Sequence, residues 1–491
     1  MFSSITHQYP DTGTFTIRIR GTFPRPLFGE DNSLFGSTRD KDKIVAIQQW
    51  GNQPWSTLID AFFDCDSLEY GAVDSPNLTN ATHLSGMFES TGKFNGNLDN
   101  WDVSNVIYMH EMFNDARVFN IDISGWVTTS LEDMSGMFKN ALTFNQPLNS
   151  WTVSSVVYLG STFKDNNSFN QDLSNWDTSS VINMRETFQN SVFNNFLAGG
   201  VSNTLQWDTS SVTRMDKMFE DANDFNGNIS GWNVSNVTSM NRMFFNASVF
   251  NQDLSNWNTS SATSLQGMFN GATIFNNGLA NGFSSTIMNW NTLNVITIES
   301  TFASAPAFNG NISGWDVSNV TKANDLFNGA SKFNHPLGGW DVRSITTMNN
   351  MFAAATLFDQ DLNCWCVVHN PSRSSFSASS PINSKPPFLP RWAEPCDPSI
   401  SFALSTIEQD DGLITPTIVS LGGTFTASIT GGLVHRNNQW GPSKADFLDI
   451  DPNTGVIDPS NSLAGVYDIT YSTGACKSFT TSITVRSVND P

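Results

Sequence analysis

The segment FNGNISGWNVSNVTSMNRMFFNA, residues 225 to 247, recurs almost unchanged as FNGNISGWDVSNVTKANDLFNGA, residues 308 to 330. The tryptophans give the period: Trp101, Trp126, Trp151 and Trp176 follow one another at steps of 25 residues. A Met-Phe motif keeps the same rhythm, and its phenylalanines are Phe88, Phe113, Phe138, Phe163, Phe188, Phe219, Phe244, Phe269, Phe302, Phe327 and Phe352. Repetition at such a period indicates an array of stacked units. The sequence therefore predicts about eleven repeats, each named below by its tryptophan.

The repeat of Trp101 shows what each unit is expected to form. Trp101 and Val103 are spaced like the inward side chains of a β-strand, and Asp102 between them faces outward. In residues 106–116 the apolar side chains then follow a helical spacing. About six buried side chains cannot offset the backbone entropy of 25 residues, so the units must stack. The pattern predicts a right-handed α/β solenoid with a parallel strand and a short helix in each repeat.

These residues also resemble a known family. The pattern F-N-x-D-[LI]-S-x-W-[DN]-V-S-x-V-x-x-M-x-x-M-F-x-x-A stands as FNQDLSNWDTSSVINMRETFQNS in residues 169 to 191. It is similar to the BspA-type leucine-rich surface repeats, also known as an uncharacterised repeat of mycoplasma lipoproteins. Residues 40 to 68, DKDKIVAIQQWGNQPWSTLIDAFFDCDSL, resemble that family's lead-in segment. The resemblance covers roughly residues 10–397. It implies a leucine-rich-repeat-like solenoid displayed outside bacterial cells, commonly in adhesion-related proteins.

The segments outside the repeats predict caps and a second domain. We expect an N-terminal β cap and lead-in at 1–63, the repeats at 64–365, and a Pro- and Ser-rich cap and linker at 366–398. From residue 399 to 491 short alternating runs, such as residues 465–472, indicate a β-sandwich. Their order is similar to the immunoglobulin-like modules of large surface adhesins in gliding and marine Bacteroidota, where such modules serve mostly as spacers.

The five cysteines favour an oxidising compartment. Cys364, Cys366 and Cys396 cluster where the repeats end, and we favour a Cys366–Cys396 disulfide that ties the C-terminal cap. Cys65 stands where later repeats carry alanine, and we expect it to be a small buried residue. The start, MFSSITHQYPDTG, lacks the plan of a secretory signal, so we interpret the chain as a segment of a larger exported protein.

Composition and motifs disfavour several classes of protein. The formal net charge of −21 and the lack of a Lys/Arg cluster argue against a nucleic-acid partner. No apolar run of about 18 residues is present, so we expect no membrane span. The six histidines form no HExxH, and neither GxSxG nor a Walker loop occurs. We therefore expect a protein that is not an enzyme and requires no cofactor.

A column of polar residues directly after the tryptophans is the first candidate binding surface. It should project from the sheet face at strand spacing, and it could bind Ca²⁺ or the hydroxyls of a sugar. The alternative is a solvated face without a ligand. We name this set the outward column; its candidate binding residues are Asp102, Asp177, Asp208, Asn233, Asn258, Asn291, Asp316 and Asp341.

Two insertions form the second candidate. NFLAGGVSNTLQW, residues 195–207, and NGLANGFSSTIMNW, residues 277–290, share an L-A-x-G-x-S-x-T skeleton and should emerge from one edge, three repeats apart. Insertions on one edge often build a binding site, although neutral drift in a tolerated loop is the alternative. The candidate residues are Ser202, Asn203, Thr204, Ser284, Ser285 and Thr286.

The repeated asparagine of the Phe-Asn turn has a structural interpretation. We expect each amide to bond the backbone of the adjacent repeat, because buried backbone polar groups need partners. Together these features predict a non-catalytic, extracellular cell-surface adhesin segment that binds a protein or glycan on another cell or surface. The alternative is a structural subunit or stalk of an extracellular filament, whose partners are copies of itself.

Overall fold

We describe a computed structural model of the chain. It divides into two compact units, Met1–Val181 and Ile182–Pro491, which are treated separately. The residues that the structure describes are 11–19, 25–28, 40–195, 204–279, 287–367, 371–392, 400–401, 406–408, 417–418, 424–431, 450, 454, 456–458, 465–472 and 478–486.

In the first unit, parallel β-bridges join three pairs of successive repeats at equivalent positions. They connect His83 to Tyr108, Tyr108 to Asp133, and Asp133 to Tyr158. Beyond the bridge, alternate backbone N–H groups at residues 109, 111, 113 and 115 donate to carbonyls of the next repeat over 2.8–2.9 Å. The N-terminal end adds a 3₁₀ helix, Asp40–Lys43, and two strands that pair in parallel, β1 (Ala46–Ile47) and β2 (Glu69–Tyr70).

The predicted helix within each repeat is wrong. Glu111 and Asp115 have φ angles of 56° and 58°, in the left-handed region that a right-handed helix excludes. The N–H groups that lie between the inter-repeat bonds donate three residues back, as from Met112 to Met109 over 3.2 Å. Residues 109–116 are therefore consecutive turns, and the described part of the chain contains 3₁₀ helices but no α-helix. The strand predicted at Trp101–Val103 is also absent there; the bridged residue is Tyr108.

The second unit repeats this geometry. Its bridges run in parallel from Asn183–Arg214 through five further pairs to Thr347–Ser372. The first unit has five pairs of left-handed residues, from Asp60/Asp64 to Ser161/Asp165, and the second has eight, from Glu186/Asn190 to Ser375/Ser379. The repeated geometry therefore extends beyond the predicted limits of 64 and 365 at both ends.

The last repeat of the second unit is followed by short elements. Two 3₁₀ helices occupy Pro381–Ser384 and Pro386–Phe388. Strand β3 (Cys366–Val367) pairs in parallel with β4 (Arg391–Trp392). The ring of Phe376 meets Phe352 and Trp392 edge-on, at interplanar angles of 76° and 87°, whereas rings of successive earlier repeats lie nearly parallel. An edge-on pair ends the ring stack without offering a flat aromatic face to a further repeat.

Aromatic columns fill the interior of each unit. The Met-Phe phenylalanines are fully buried, and Phe113 lies 5.9 Å from both Phe88 and Phe138, with near-parallel rings. In the second unit Phe244 stacks in the same way between its neighbours at 5.7 and 5.5 Å. The tryptophans are at most 4% exposed in the repeats, and the indole N–H of Trp126 donates to a carbonyl of the preceding repeat over 2.9 Å. The indole of Trp126 is thus packed in the core while its N–H group is hydrogen-bonded.

The asparagine ladder is confirmed. The Oδ1 of Asn120 accepts the backbone N–H of Asn145 over 3.0 Å, and Asn120 itself donates to Oδ1 of Asn95 over 2.9 Å. The second unit has the same contacts, for example from Asn251 to Asn226 over 2.9 Å. These side chains connect one repeat to the next.

The C-terminal part of the second unit is β-structure. Its strands are β5 (Ile400–Ser401), β6 (Thr406–Glu408), β7 (Thr417–Ile418), β8 (Thr424–Gly431), β9 (Gly465–Ser472) and β10 (Ser478–Arg486). One sheet has the order β6-β10-β9-β8, in which only the β6–β10 pairing is parallel, and β5 pairs antiparallel with β7. The immunoglobulin-like topology stays a prediction.

The cysteines agree in part with expectation. Cys65 is fully buried, as predicted. Cys364 and Cys366 are both disulfide-bonded. Cys396 lies outside the described residues, so the pairing Cys366–Cys396 stays a prediction.

Candidate functional site

The outward column is exposed and locally ordered. Seven of its eight side chains are exposed, and Asp341 is half-buried. In all eight, Oδ1 accepts the backbone N–H of the residue two positions later, over 2.9–3.3 Å. This is the Asx-turn, which fixes the side chain against its own backbone. The column therefore turns the chain at a corner of each repeat and holds its carboxylate and amide groups in set positions.

The negative charge of the outward column is carried by its five aspartates. The hydroxyl and N–H of Ser104 hold the pKa of Asp102 below the usual aspartate value, and Ser210 does the same for Asp208. In Asp102 both hydrogen bonds from Ser104 use Oδ1, so among the described residues Oδ2 has no protein donor and is available to a ligand. Asp341 differs, because the guanidinium of Arg343 covers it.

The structure gives no grouping of metal ligands in this column. Within the described ranges, no set of three or more His, Cys, Asp or Glu residues lies close enough to hold a metal ion. Calcium binding by the outward column therefore stays a prediction, with one aspartate or asparagine contributed by each repeat.

The two insertions begin and end at equivalent places. Immediately before them, Oδ1 of Asn194 and of Asn276 each accepts the backbone N–H of the next repeat's asparagine over 2.8 Å. Near the C-terminal end of each insertion, Thr204 and Ile287 respectively form a parallel bridge to the next repeat. Thr204 is half-buried. The other candidate residues, Ser202, Asn203, Ser284, Ser285 and Thr286, lie outside the described residues.

A cavity in the first unit escaped the sequence reasoning. It measures about 160 Å³ and is contributed by three successive repeats; its lining residues are His110, Glu111, Ser135, Gly136, Lys139, Gly160 and Ser161. Gly136 has φ +63°, and a Cβ there would lie 2.9 Å from Cγ of Glu111. A side chain at this position would therefore be strained and would press on the carboxylate arm that borders the cavity.

The carboxylates beside this cavity are electrostatically coupled. Burial, and then the negative charge of Glu111, raise the pKa of Glu89 to about 7, although a hydrogen bond from Asn114 Nδ2 over 2.9 Å acts in the opposite direction. Nδ1 of His110 lies 2.9 Å from the Ser85 hydroxyl. A carboxyl group that titrates near neutral pH can either donate or accept a hydrogen bond under physiological conditions.

One sequence signal could have found the cavity. Gly136 and Gly160 replace side chains at registers where the repeat of Trp101 has Glu111 and His110. The absence of these two side chains from successive repeats leaves a space that is not visible in the sequence of either repeat alone. A template averaged over all repeats hides this difference.

Comparison with known proteins identifies the repeat region. Residues 56–158, 143–199, 190–282 and 278–387 each match the family model described as "Mycoplasma protein of unknown function, DUF285". Together these matches cover more than half of the 491 residues. The comparisons with curated proteins and with solved structures gave no match. Among the described residues, no helix has the length and apolar character needed to cross a bilayer. The prediction of a repeat protein is confirmed.

Proposed function

The chain belongs to the DUF285 family of repeat proteins, and from this premise we propose that it is a non-catalytic segment of an extracellular, cell-surface adhesin that binds a protein or glycan on another cell or surface. We propose further that its repeats form a solenoid of the BspA type. An immunoglobulin-like module at residues 399–491 would then act as a spacer.

The observation that carries this proposal is the outward column. The turn hydrogen bonds remove much of the rotational freedom of these side chains before any ligand arrives. A preorganised row loses less entropy on binding than flexible side chains do. Repetition also places similar groups side by side, which suits an extended partner such as a glycan chain or a protein surface.

A charge-only substitution tests this surface. Asn can keep the Asx-turn of Asp208 and Asp316, so the double Asp→Asn variant should fold normally and remove two charges. We expect it to bind less well to a panel of immobilised glycans and cell-surface proteins, and to whole cells. The matched control replaces Asp253 and Asp361, whose Oδ1 atoms make the same turn bond over 2.9 Å at another register. Equal binding by both variants would remove the column from the proposal.

The insertions are tested by deletion. Shortening residues 196–203 and 280–286 to the length of the other repeats should reduce binding if these loops contact the partner. The described ends of both loops are held by the same contacts, so each deletion joins equivalent points of the backbone. Unchanged binding would exclude a contribution from the loops and leave that of the column intact.

Three exposed apolar residues near Trp290 favour the alternative of self-assembly. Ile287, Leu293 and Ile296 are 48–51% exposed around the repeat of Trp290. At the registers of Leu293 and Ile296 the next repeat has Ser318 and Thr321. Exposed apolar side chains at a single repeat suit contact with a second copy of the chain. Light scattering during size exclusion tests this, since the variant Leu293→Ser/Ile296→Thr should convert any oligomer to a monomer.

A further inference from the structure

Exposed aromatic residues are unevenly distributed between the two units. The chain has six tyrosines, and two of them, Tyr108 and Tyr158, stand at the bridged register of the first unit. Tyr158 is 42% exposed, and it lies two residues before Gly160, which lines the cavity. At the same register in the second unit the residues are Asn, Arg, Ser, Thr and Lys. Tyr158 is therefore an exposed tyrosine that lies close in sequence to the lining of the cavity.

The lining of the cavity offers every kind of hydrogen-bonding group. Glu111 accepts, Lys139 donates, and the hydroxyl of Ser161 does both, whereas the hydroxyl of Ser135 donates to Oδ1 of Asp133 and is left as an acceptor. A ligand that matches such a lining must itself both donate and accept at several points. Hydroxyl groups arranged around a ring meet this requirement, because each of them is a donor and an acceptor.

The charge of the lining restricts the ligand further. The negative charge of Glu111 and the positive charge of Lys139 offset each other, so the cavity favours neither an anion nor a cation. The net charge of −21 on the whole chain repels acidic ligands. A volume of about 160 Å³ is below the roughly 300–1,000 Å³ typical of pockets for drug-sized ligands, so the cavity admits a single ring.

We infer that this cavity, together with Tyr158, binds one neutral sugar residue of a glycan. The hydroxyls of the sugar bond Glu111, Lys139 and the two serines, and its apolar face packs on the tyrosine ring. This inference deepens the proposed function and rests on it for the choice of glycan over other polyols. It also assigns the first unit a recognition role separate from the outward column.

Saturation-transfer NMR on the full chain tests the inference. The probes are the methyl glycosides of glucose, galactose, mannose and N-acetylglucosamine at up to about 10 mM, a range that detects millimolar affinity. The acidic comparison is sialic acid methyl glycoside. We expect at least one neutral probe to bind, and the variants Tyr158→Ala and Glu111→Gln each to lower its affinity about tenfold or more.

Matched variants separate a local effect from a general one. Lys322→Ala and Asp325→Asn change the same two registers in the second unit, where lysine stands at the register of Tyr158, and should leave affinity within about twofold. Thermal melting checks that every variant folds, and Glu111→Gln is the conservative change if Tyr158→Ala unfolds the repeat. Absence of binding by all neutral probes, stronger binding of the acidic probe, or affinity unchanged in both test variants would each overturn the inference. The adhesin proposal fails separately, if the native chain binds no cell, glycan or protein of the larger panel.

Discussion

The asparagine ladder makes the clearest prediction about stability. Oδ1 of Asn120 accepts two hydrogen bonds, from the backbone N–H of Asn145 and from Nε2 of Gln146, both over 3.0 Å. Asn120→Ala removes both. Gln146 keeps a second acceptor, the carbonyl of residue 120, at 2.9 Å. The backbone N–H of Asn145 loses its partner at the junction between two repeats.

The cost follows from that lost partner. A buried backbone donor left without an acceptor costs about 1–3 kcal/mol, and the weakened Gln146 contact adds about 0.5 kcal/mol. Asn145 is half-buried, so water can reach the N–H in part and the lower half of the range applies. We expect Asn120→Ala to destabilise the first unit by about 2 kcal/mol. Asn120→Asp should cost less than about 0.5 kcal/mol, because the carboxylate still accepts; Asp359 occupies this register in the second unit.

Guanidinium denaturation followed by tryptophan fluorescence measures the change. Trp126 and Trp151 are at most 3% exposed and report on the repeats on either side of the substituted junction. Thr152→Ala is the control, since this side chain is exposed and should shift stability by less than about 0.5 kcal/mol. If Ala and Asp at position 120 cost the same, or if Asn120→Ala behaves like Thr152→Ala, the ladder does not connect the repeats in the way we describe.

Three further predictions concern titration and packing. The pKa of Glu89 is raised to about 7, so its contribution to stability is fully present below its unfolded value of 4.5 and is lost as pH rises through 7. Glu89→Gln should remove this loss; its melting temperature should exceed that of the native chain at pH 8 but match it at pH 4, and a constant difference would contradict the assignment. The pKa of Asp102 is lowered, so the stability from its turn is present above 3.8 and is lost as pH falls through the folded pKa; acid unfolding of Asp102→Asn should be less steep than that of the native chain. Phe244→Ala opens a cavity between rings at 5.7, 5.5 and 4.0 Å and should cost about 3–5 kcal/mol in denaturant, and a cost below 1 kcal/mol would mean that the column repacks.

The sequence was sufficient for the period and for the interior. A tryptophan or phenylalanine that recurs every 25 residues is best removed from water in the core shared by neighbouring repeats. In the structure Trp126 and Phe113 are buried there. The asparagine ladder was equally accessible, because a repeated amide beside a turn can bond the same atom of each neighbour. Both inferences depend on identity and spacing, which the sequence states directly.

The local backbone was not accessible from apolar spacing alone. The positions of Val106, Met109 and Phe113 suit an α-helix, and they equally suit turns in which every second N–H bonds to the next repeat. The decisive signal was in the polar residues between them. Asp115, Asn140, Asp165, Asn190, Asp221, Asn246, Gly271 and Gly329 share one register and are all left-handed in the structure. Asn, Asp and Gly are the residues that adopt this conformation most readily, and their recurrence four residues after another left-handed position excludes a helix.

The abundance of Asn, Ser and Thr also follows from the turn-based backbone, and it indicates which residues are available to bind a partner. Without regular helices, each repeat leaves carbonyls at its corners that need donors, and Thr128 and Ser130 supply them to the next and the preceding repeat over 2.9 and 2.7 Å. A polar side chain that recurs in every repeat therefore mostly forms a hydrogen bond with an adjacent repeat. The side chains that depart from the template, such as those of Tyr158 and Leu293, do not belong to this repeated pattern of hydrogen bonds. Specificity for a partner then has to come from these departures, superimposed on the charge of the outward column, and substitutions there should change binding with little change in stability.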